Sequence, residues 1–266
     1  MQEEKEKART TSAAKVVQKK DNNNQDIYRS QHDKQSTGSP GPDYKVYYNI
    51  DDDQFDLESN CMIARENKVK GGSVDGIYYV EEYINKDEEQ AILDNVYCDD
   101  YKQQWVELKK RRLQNWGGNP SSTGMLQEPM PTWLDDICNR VFQSKCLPVK
   151  PNHVLLNEYS YDQGIMPHKD GPLFYNCVTI LSLGSTCLID FYKQLNEDPV
   201  QSLLLQPRSL LIFTGEAYKT YFHGIKESFT DVITEKVVNR GSIAIGTELE
   251  REVRVSLTIR IVPRIK

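Results

Sequence analysis

Arg254-Val255-Ser256-Leu257-Thr258-Ile259-Arg260, near the end of the chain, alternates a polar with an apolar side chain at every step. Successive side chains of a strand point to opposite faces. Arg254, Ser256, Thr258 and Arg260 therefore share one face, and Val255, Leu257, Ile259 and the following Ile261 share the other. The apolar face calls for burial against a helix layer, and the polar face for an interior cleft. A strand with one face in solvent gives the same alternation, so the neighbouring segments must decide between the two.

Upstream of this strand, from Pro151 onwards, short candidate strands follow one another at 153–160, 176–183, 186–192, 201–205, 209–214 and 218–225, with 252–262 as the last. Turn signals separate them at Asp162-Gln163-Gly164, Leu183-Gly184-Ser185, Gln206-Pro207-Arg208 and Thr214-Gly215. Residues 226–251 are polar and contain Gly241 and Gly246, which predicts a long loop or irregular hairpin before the last strand. Before Pro151 the periodicity is helical. Asn85-Lys86-Asp87-Glu88 has the form of a capping box, opening a helix to about Tyr97 with Ile92, Leu93 and Val96 inward. From Thr132, Leu134, Ile137, Cys138, Val141 and Phe142 recur at a helical period. Gly76-Ile77-Tyr78-Tyr79-Val80 reads as the first strand, and 98–130 as a polar connection. The fold class expected is α+β, a β-sandwich or jelly-roll core with helices packed on one outer face.

The chain has 266 residues, 38% hydrophobic and 27% charged, with a net charge of −6. The apolar deficit is concentrated at the start, where residues 1–40 contain no Phe, Trp or Leu. Such a segment buries too little apolar surface to offset its ordering entropy. The expected organisation is a disordered polar tail and linker over 1–75, then one folded domain over 76–266. No apolar run approaches a membrane span, and the N-terminus does not read as a secretory signal. Six dispersed cysteines show neither CxxC nor finger spacing. That points to reduced thiols and a cytoplasmic or nuclear location. The acidic balance argues against a broadly basic nucleic-acid binder. A monomer is the default expectation.

Four histidines occur: His32, His153, His168 and His223. His153, at the start of an apolar strand, reads as structural. His168-Lys169-Asp170 sets an imidazole and a carboxylate two residues apart, so both can aim at one metal from a strand or its end. His223, late in another candidate strand, can supply a third donor. Two imidazoles and one carboxylate are the facial triad of non-heme Fe(II) oxygenases, which leaves coordination positions open. A guanidinium forks onto a carboxylate through two parallel hydrogen bonds, which suits Arg254 to a small dicarboxylate. Asn157 and Tyr159 put an amide and a phenol on one face of their strand, both able to reach carboxylate oxygens.

With these residues the chain resembles the AlkB family of 2-oxoglutarate- and Fe(II)-dependent dioxygenases. The matching pattern is Asn157-x-Tyr159 with Gly164, His168-x-Asp170, His223 and Arg254-x-Ser256-x-Thr258-x-Arg260. The likeness runs from about Gly76 to Pro263. It implies a double-stranded β-helix, iron held by His168, Asp170 and His223, and 2-oxoglutarate and O₂ as co-substrates. It also implies 2-oxoglutarate contacts from Asn157, Tyr159, Arg254, Ser256 and Arg260. Many relatives carry Asn where this chain has Ser256. Arg254 and Arg260 lie about 20 Å apart along an extended strand, so they do not grip one small dicarboxylate equally. The chemistry implied is oxidative decarboxylation of 2-oxoglutarate coupled to substrate hydroxylation. An N-methyl group so hydroxylated leaves as formaldehyde.

The segment before the second helix is the place to look for substrate contacts. Lys110, Arg111, Gln114, Asn115 and Trp116 combine cations, amides and an indole suited to phosphates and bases. A nucleic acid, single-stranded or with a flipped base, is the leading substrate, because the target atom must reach a buried metal. A solvated strand edge or helix end gives the same basic run. The same chemistry on a protein side chain, and a non-catalytic jelly-roll binding module, are the alternatives.

Overall fold

A computed structural model describes residues 45–46 and 55–266, and its contacts gather residues 41–266 into one unit. The expected disordered tail over 1–40 lies outside the described residues. Strands follow in chain order as β1 (Lys45–Val46), β2 (Ile77–Val80), β3 (Val106–Leu108), β4 (Arg111–Trp116), β5 (His153–Tyr159) and β6 (Ile165–His168). They continue as β7 (Cys177–Gly184), β8 (Cys187–Tyr192), β9 (Gln201–Leu205), β10 (Leu210–Thr214) and β11 (Phe222–Ile225). The last are β12 (Thr230–Val232), β13 (Glu248–Glu250), β14 (Arg254–Arg260) and β15 (Arg264–Ile265). Helices are α1 (Leu57–Asn60), α2 (Met62–Glu66), α3 (Lys86–Val96), α4 (Thr132–Gln143) and α5 (Gly215–Lys219).

Two sheets make the core. The large one has order β2-β10-β7-β14-β5-β4-β3 and the small one β6-β11-β8-β9. From β5 onward the chain deals its strands between them: β5, β7, β10 and β14 to the large sheet, β6, β8, β9 and β11 to the small. This is the jelly-roll pattern expected. The polar segment 226–251 forms the short antiparallel pair β12–β13, as an irregular hairpin should.

The alternation of β14 decides which side faces what. Val255, Leu257 and Ile259 pack with Ile92 and Val96 of α3 and Leu134, Ile137, Cys138 and Val141 of α4. Arg254, Ser256, Thr258 and Arg260 are equally buried but take the opposite face, inside the sandwich. Burial of each aliphatic side chain on the helix face contributes roughly 1.5–3 kcal/mol. The α3 capping box is complete: Asn85 Oδ1 accepts from Glu88 N at 2.9 Å and Glu88 Oε2 from Asn85 N at 2.8 Å. Phe142 departs from its expected stripe and stays exposed at the end of α4.

Three expectations need correction. The linker does not extend to residue 75, because α1 and α2 bury Leu57, Cys61 and Ala64 in the helix-side core. Asp56 caps α1 by accepting from Glu58 N and Ser59 N. The connection 98–130 contains the hairpin β3–β4, which extends the large sheet beyond β5. The strand expected from 218 starts only at Phe222, after α5.

Candidate active site

His168 ends β6 and lies directly opposite His223 of β11 in the small sheet. Their ring centroids are 4.5 Å apart. Asp170 follows two residues beyond β6, and its Oδ2 stands 3.6 Å from His223 Nε2. Glycine makes this approach possible. A Cβ on Gly224, beside His223, would stand 2.9 Å from both the Ile165 carbonyl oxygen and Pro167 N. Phe213 supports the His223 ring from below, at 4.9 Å between centroids.

The proton positions follow from the partners. His168 Nδ1 is 2.9 Å from the Met166 carbonyl, which can only accept, so this nitrogen carries the proton and Nε2 keeps its lone pair. Burial drives the His223 imidazolium down to about 3, with His168 adding to the shift and Asp170 opposing it. Burial lowers His168 as well, although the residue is only half-buried. Both rings are therefore neutral near pH 7, the state a cation needs. For Asp170 burial works upward, but the charge of Arg260 prevails and holds the carboxyl below its usual range.

No set of three His, Cys, Asp or Glu side chains among the described residues is already drawn into metal-holding geometry. The donor chemistry nevertheless fits a divalent transition metal. Two neutral imidazoles and an ionised carboxylate converge, and Asp170 Oδ2 is buried with no hydrogen-bond partner among the described residues. Arg260 Nη1 donates to the other oxygen, Oδ1, at 2.5 Å, and the guanidinium lies 3.8 Å over the Phe174 ring. One oxygen is thus tied and the other directed at His223. A buried, unpaired acceptor beside two neutral imidazoles is costly unless a cation completes it.

The second part of the site is built across β5, β14 and β7. Tyr159 lies opposite Arg254, and Asn157 opposite Ser256. On the other flank Ser256 pairs with Ser182. Arg254 Nη2 donates to Ser182 Oγ at 2.9 Å, while Arg254 Nε is buried without a partner among the described residues. Tyr159, Gln163, Thr186, Ile225 and Arg251 line a cleft beside Arg254. The four residues Asn157, Tyr159, Arg254 and Ser256 therefore come together on one interior wall. Arg260 lies six residues along the same face, where its Nη1 donates to Asp170 and its Nε and Nη2 are buried without a partner among the described residues. His153, opposite Arg260, is buried with Nε2 2.9 Å from Asn115 Oδ1, and burial keeps it neutral.

The five substrate candidates separate by the alternation of β4. Gln114 and Trp116 face the helices and are buried, with Trp116 Nε1 donating to Gln114 Oε1 at 3.0 Å. They are core residues, and a nucleic acid cannot reach them. Asn115 is held by Gly118 O, Asn119 and His153. Lys110 pairs with Glu227 at 2.6 Å. Arg111 is half-buried and donates from Nε to Asn157 Oδ1 at 2.9 Å. Ser182, Phe174 and Arg251 were not marked by any sequence signal. Ser182 becomes visible only through the register of β7 with β14. Buried Arg251 binds Asp231 and the Lys226 carbonyl, and so ties the β12–β13 hairpin to the cleft wall.

Residues 79–260 match the model of the 2OG-Fe(II) oxygenase superfamily. Among curated proteins, the chain is 44% identical over 203 residues to the probable RNA/DNA demethylase ALKBH6 of Danio rerio, covering 71% of this chain and 86% of that protein. It is 31% identical over 205 residues to the tRNA (carboxymethyluridine(34)-5-O)-methyltransferase ALKBH8 of Mus musculus, covering 71% of this chain but 31% of that protein. An Arabidopsis thaliana protein, the alkylated DNA repair protein ALKBH8 homolog, is 27% identical over 208 residues, covering 67% of this chain and 59% of its own length.

Proposed function

The chain belongs to the AlkB family of the 2-oxoglutarate–Fe(II) oxygenase superfamily, and we propose that it demethylates or hydroxylates a nucleic-acid substrate with His168, Asp170 and His223 as the metal ligands. It is an oxidoreductase, and its family implies Fe(II), 2-oxoglutarate and O₂. The observation that carries the residue assignment is the approach of the His223 imidazole to the unpartnered Asp170 Oδ2 at 3.6 Å, with the His168 ring 4.5 Å from that of His223.

Bound there, Fe(II) would supply the oxidation of 2-oxoglutarate to succinate and CO₂ that is coupled to hydroxylation of the substrate. Arg254 takes the distal carboxylate of 2-oxoglutarate, its guanidinium held in place by Ser182. Tyr159 and Ser256 add hydroxyl donors from either side of it, and Asn157 adds an amide toward the keto-acid end. Arg260 acts on Asp170 rather than on the distal carboxylate. It holds one carboxylate oxygen so that the other is presented to the metal.

The nucleic-acid reading rests on relatives named for RNA, DNA and tRNA and on the cations Lys109 and Lys110 at the β3–β4 turn. Free cysteines at all six positions suit a reducing cytoplasm or nucleus, and no described helix is long and apolar enough to cross a membrane. The test is coupled formaldehyde release from methylated nucleic-acid and peptide pools, with iron, 2-oxoglutarate and ascorbate. Release from nucleic acid, lost in Asp170→Ala, is the expected outcome. Release from peptides alone would overturn the substrate assignment and favour the protein side-chain reading.

A further inference from the structure

An asparagine amide has two ends of opposite character, and its partners decide which end faces a ligand. Asn157 is 4% exposed and sits on the interior wall between Arg254's strand and β4. Its Oδ1 accepts from Arg111 Nε at 2.9 Å. An arginine cannot accept a hydrogen bond, so this contact fixes the orientation: Oδ1 toward Arg111, and the Nδ2 amine away from it. Among the described residues no acceptor takes Nδ2. The end left over is thus a donor, which is what a carboxylate requires.

Arg111 reaches this position through strand alternation. Its neighbour Arg112 turns to the other face, where it forks onto Glu158 through Nε and Nη2 at 2.7 and 2.9 Å and stacks on Trp105 at 4.2 Å. Arg111 takes the interior face with Leu113 and Asn115. There it adjoins Tyr159, whose phenol burial pushes up while the charges of Arg111 and Arg254 work the other way. The interior wall therefore carries a cation on each side of Tyr159, Arg111 on β4 and Arg254 on β14.

We propose that Arg111 is a positioning residue for 2-oxoglutarate, locking the Asn157 carboxamide with its amine toward the co-substrate and adding positive charge at that end of the cleft. This rests on the reading of Asn157 and Arg254 given above. It moves Arg111 from the set expected to touch the substrate to the machinery that holds the co-substrate.

The experiment is calorimetric titration of 2-oxoglutarate into Mn(II)-loaded protein, anaerobic and without turnover, for wild type, Arg111→Met, Arg111→Lys, Asn157→Ala and the Arg111→Met/Asn157→Ala double variant. Unfolding curves accompany each variant. Arg111→Met is expected to weaken 2-oxoglutarate about tenfold while leaving Mn(II) affinity and the unfolding midpoint near wild type. Arg111→Lys keeps the charge but not the Nε geometry, and is expected to recover part of the loss. The double variant should lose less than the product of the single losses, because Arg111 acts through Asn157. Wild-type affinity in Arg111→Met, or losses that multiply independently, would overturn the proposal. Arg254→Met separates the two levels. If that variant also binds like wild type, the co-substrate reading itself fails, whatever Arg111 does.

Discussion

Arg260 and Asp170, ninety residues apart in sequence, meet through a 2.5 Å hydrogen bond that leaves one carboxylate oxygen directed at His223. The guanidinium is wedged against Phe174, so its plane and reach are fixed by packing. A carboxylate whose one oxygen is tied to a guanidinium presents the other in a fixed direction.

Removing that contact should loosen the metal site without dismantling the fold. Arg260→Met keeps most of the stem on Phe174 and is expected to weaken Mn(II) binding by about 10–100-fold, the usual range for an outer partner of a ligand. Titration followed by electron paramagnetic resonance measures it. Unaltered affinity would mean that Asp170 needs no help from Arg260.

The close passage of β6 past β11 makes a second prediction. Gly224→Ala drives a methyl against the Ile165 carbonyl and Pro167 N, both backbone atoms with little room to move. The cost expected is about 1–3 kcal/mol, read from denaturant unfolding, together with reduced metal affinity as His223 is displaced. Stability within 0.5 kcal/mol of wild type would show that the strands yield easily.

Leu257 sits fully buried on the helix face of β14, between Leu156 of β5 and Leu181 of β7 in register. Leu257→Ala should cost about 2–5 kcal/mol, while leaving 2-oxoglutarate affinity in the surviving folded protein close to wild type, because the neighbouring Ser256 and Thr258 face the other way. A co-substrate defect larger than the loss of stability would contradict the two-faced reading of the strand.

Acid should destabilise the metal-free protein early. Burial lowers the imidazolium of His153, His168 and His223 alike. Each ring is neutral in the fold but takes up a proton once unfolded below about pH 6.5. Their contribution is therefore complete above that pH and is lost as pH falls toward the folded-state values. Each such ring adds a slope of about 1.4 kcal/mol per pH unit. Urea unfolding at pH 7.5 and 5.5 should show this fall, with a shallower slope in His153→Gln. A flat profile between the two would mean that the rings are protonated in the fold.

Much of this architecture is legible in the sequence because it is written in local alternation and capping. Arg254–Arg260 announces two buried faces, Asn85 and Glu88 announce α3, and Gly-containing turns separate the strands of the roll. What is not legible depends on partners distant in the chain. The charged β4 is a strand because β5 offers it an edge, and the short Val106–Leu108 because β4 does, and nothing in Arg111-Arg112 says that the two guanidiniums part to opposite faces. Gln114 and Trp116 look like a nucleic-acid surface until the register turns them to the helices. Leu57, Cys61 and Ala64 are too few to betray α1 and α2 within polar surroundings. The candidate ligands His168, Asp170 and His223 can be named from sequence, but the tie between Arg260 and Asp170 requires one sheet packed on the other.

The most direct measurement is the stoichiometry of Mn(II) bound to the metal-free protein, for wild type and for His168→Ala, Asp170→Ala and His223→Ala, with folding verified by unfolding curves. One ion per chain in the wild type, its affinity falling at least a hundredfold in each folded variant and rising when 2-oxoglutarate is added, is the result expected. Undiminished binding in the His223→Ala variant would place the ion elsewhere and contradict the assignment of the site.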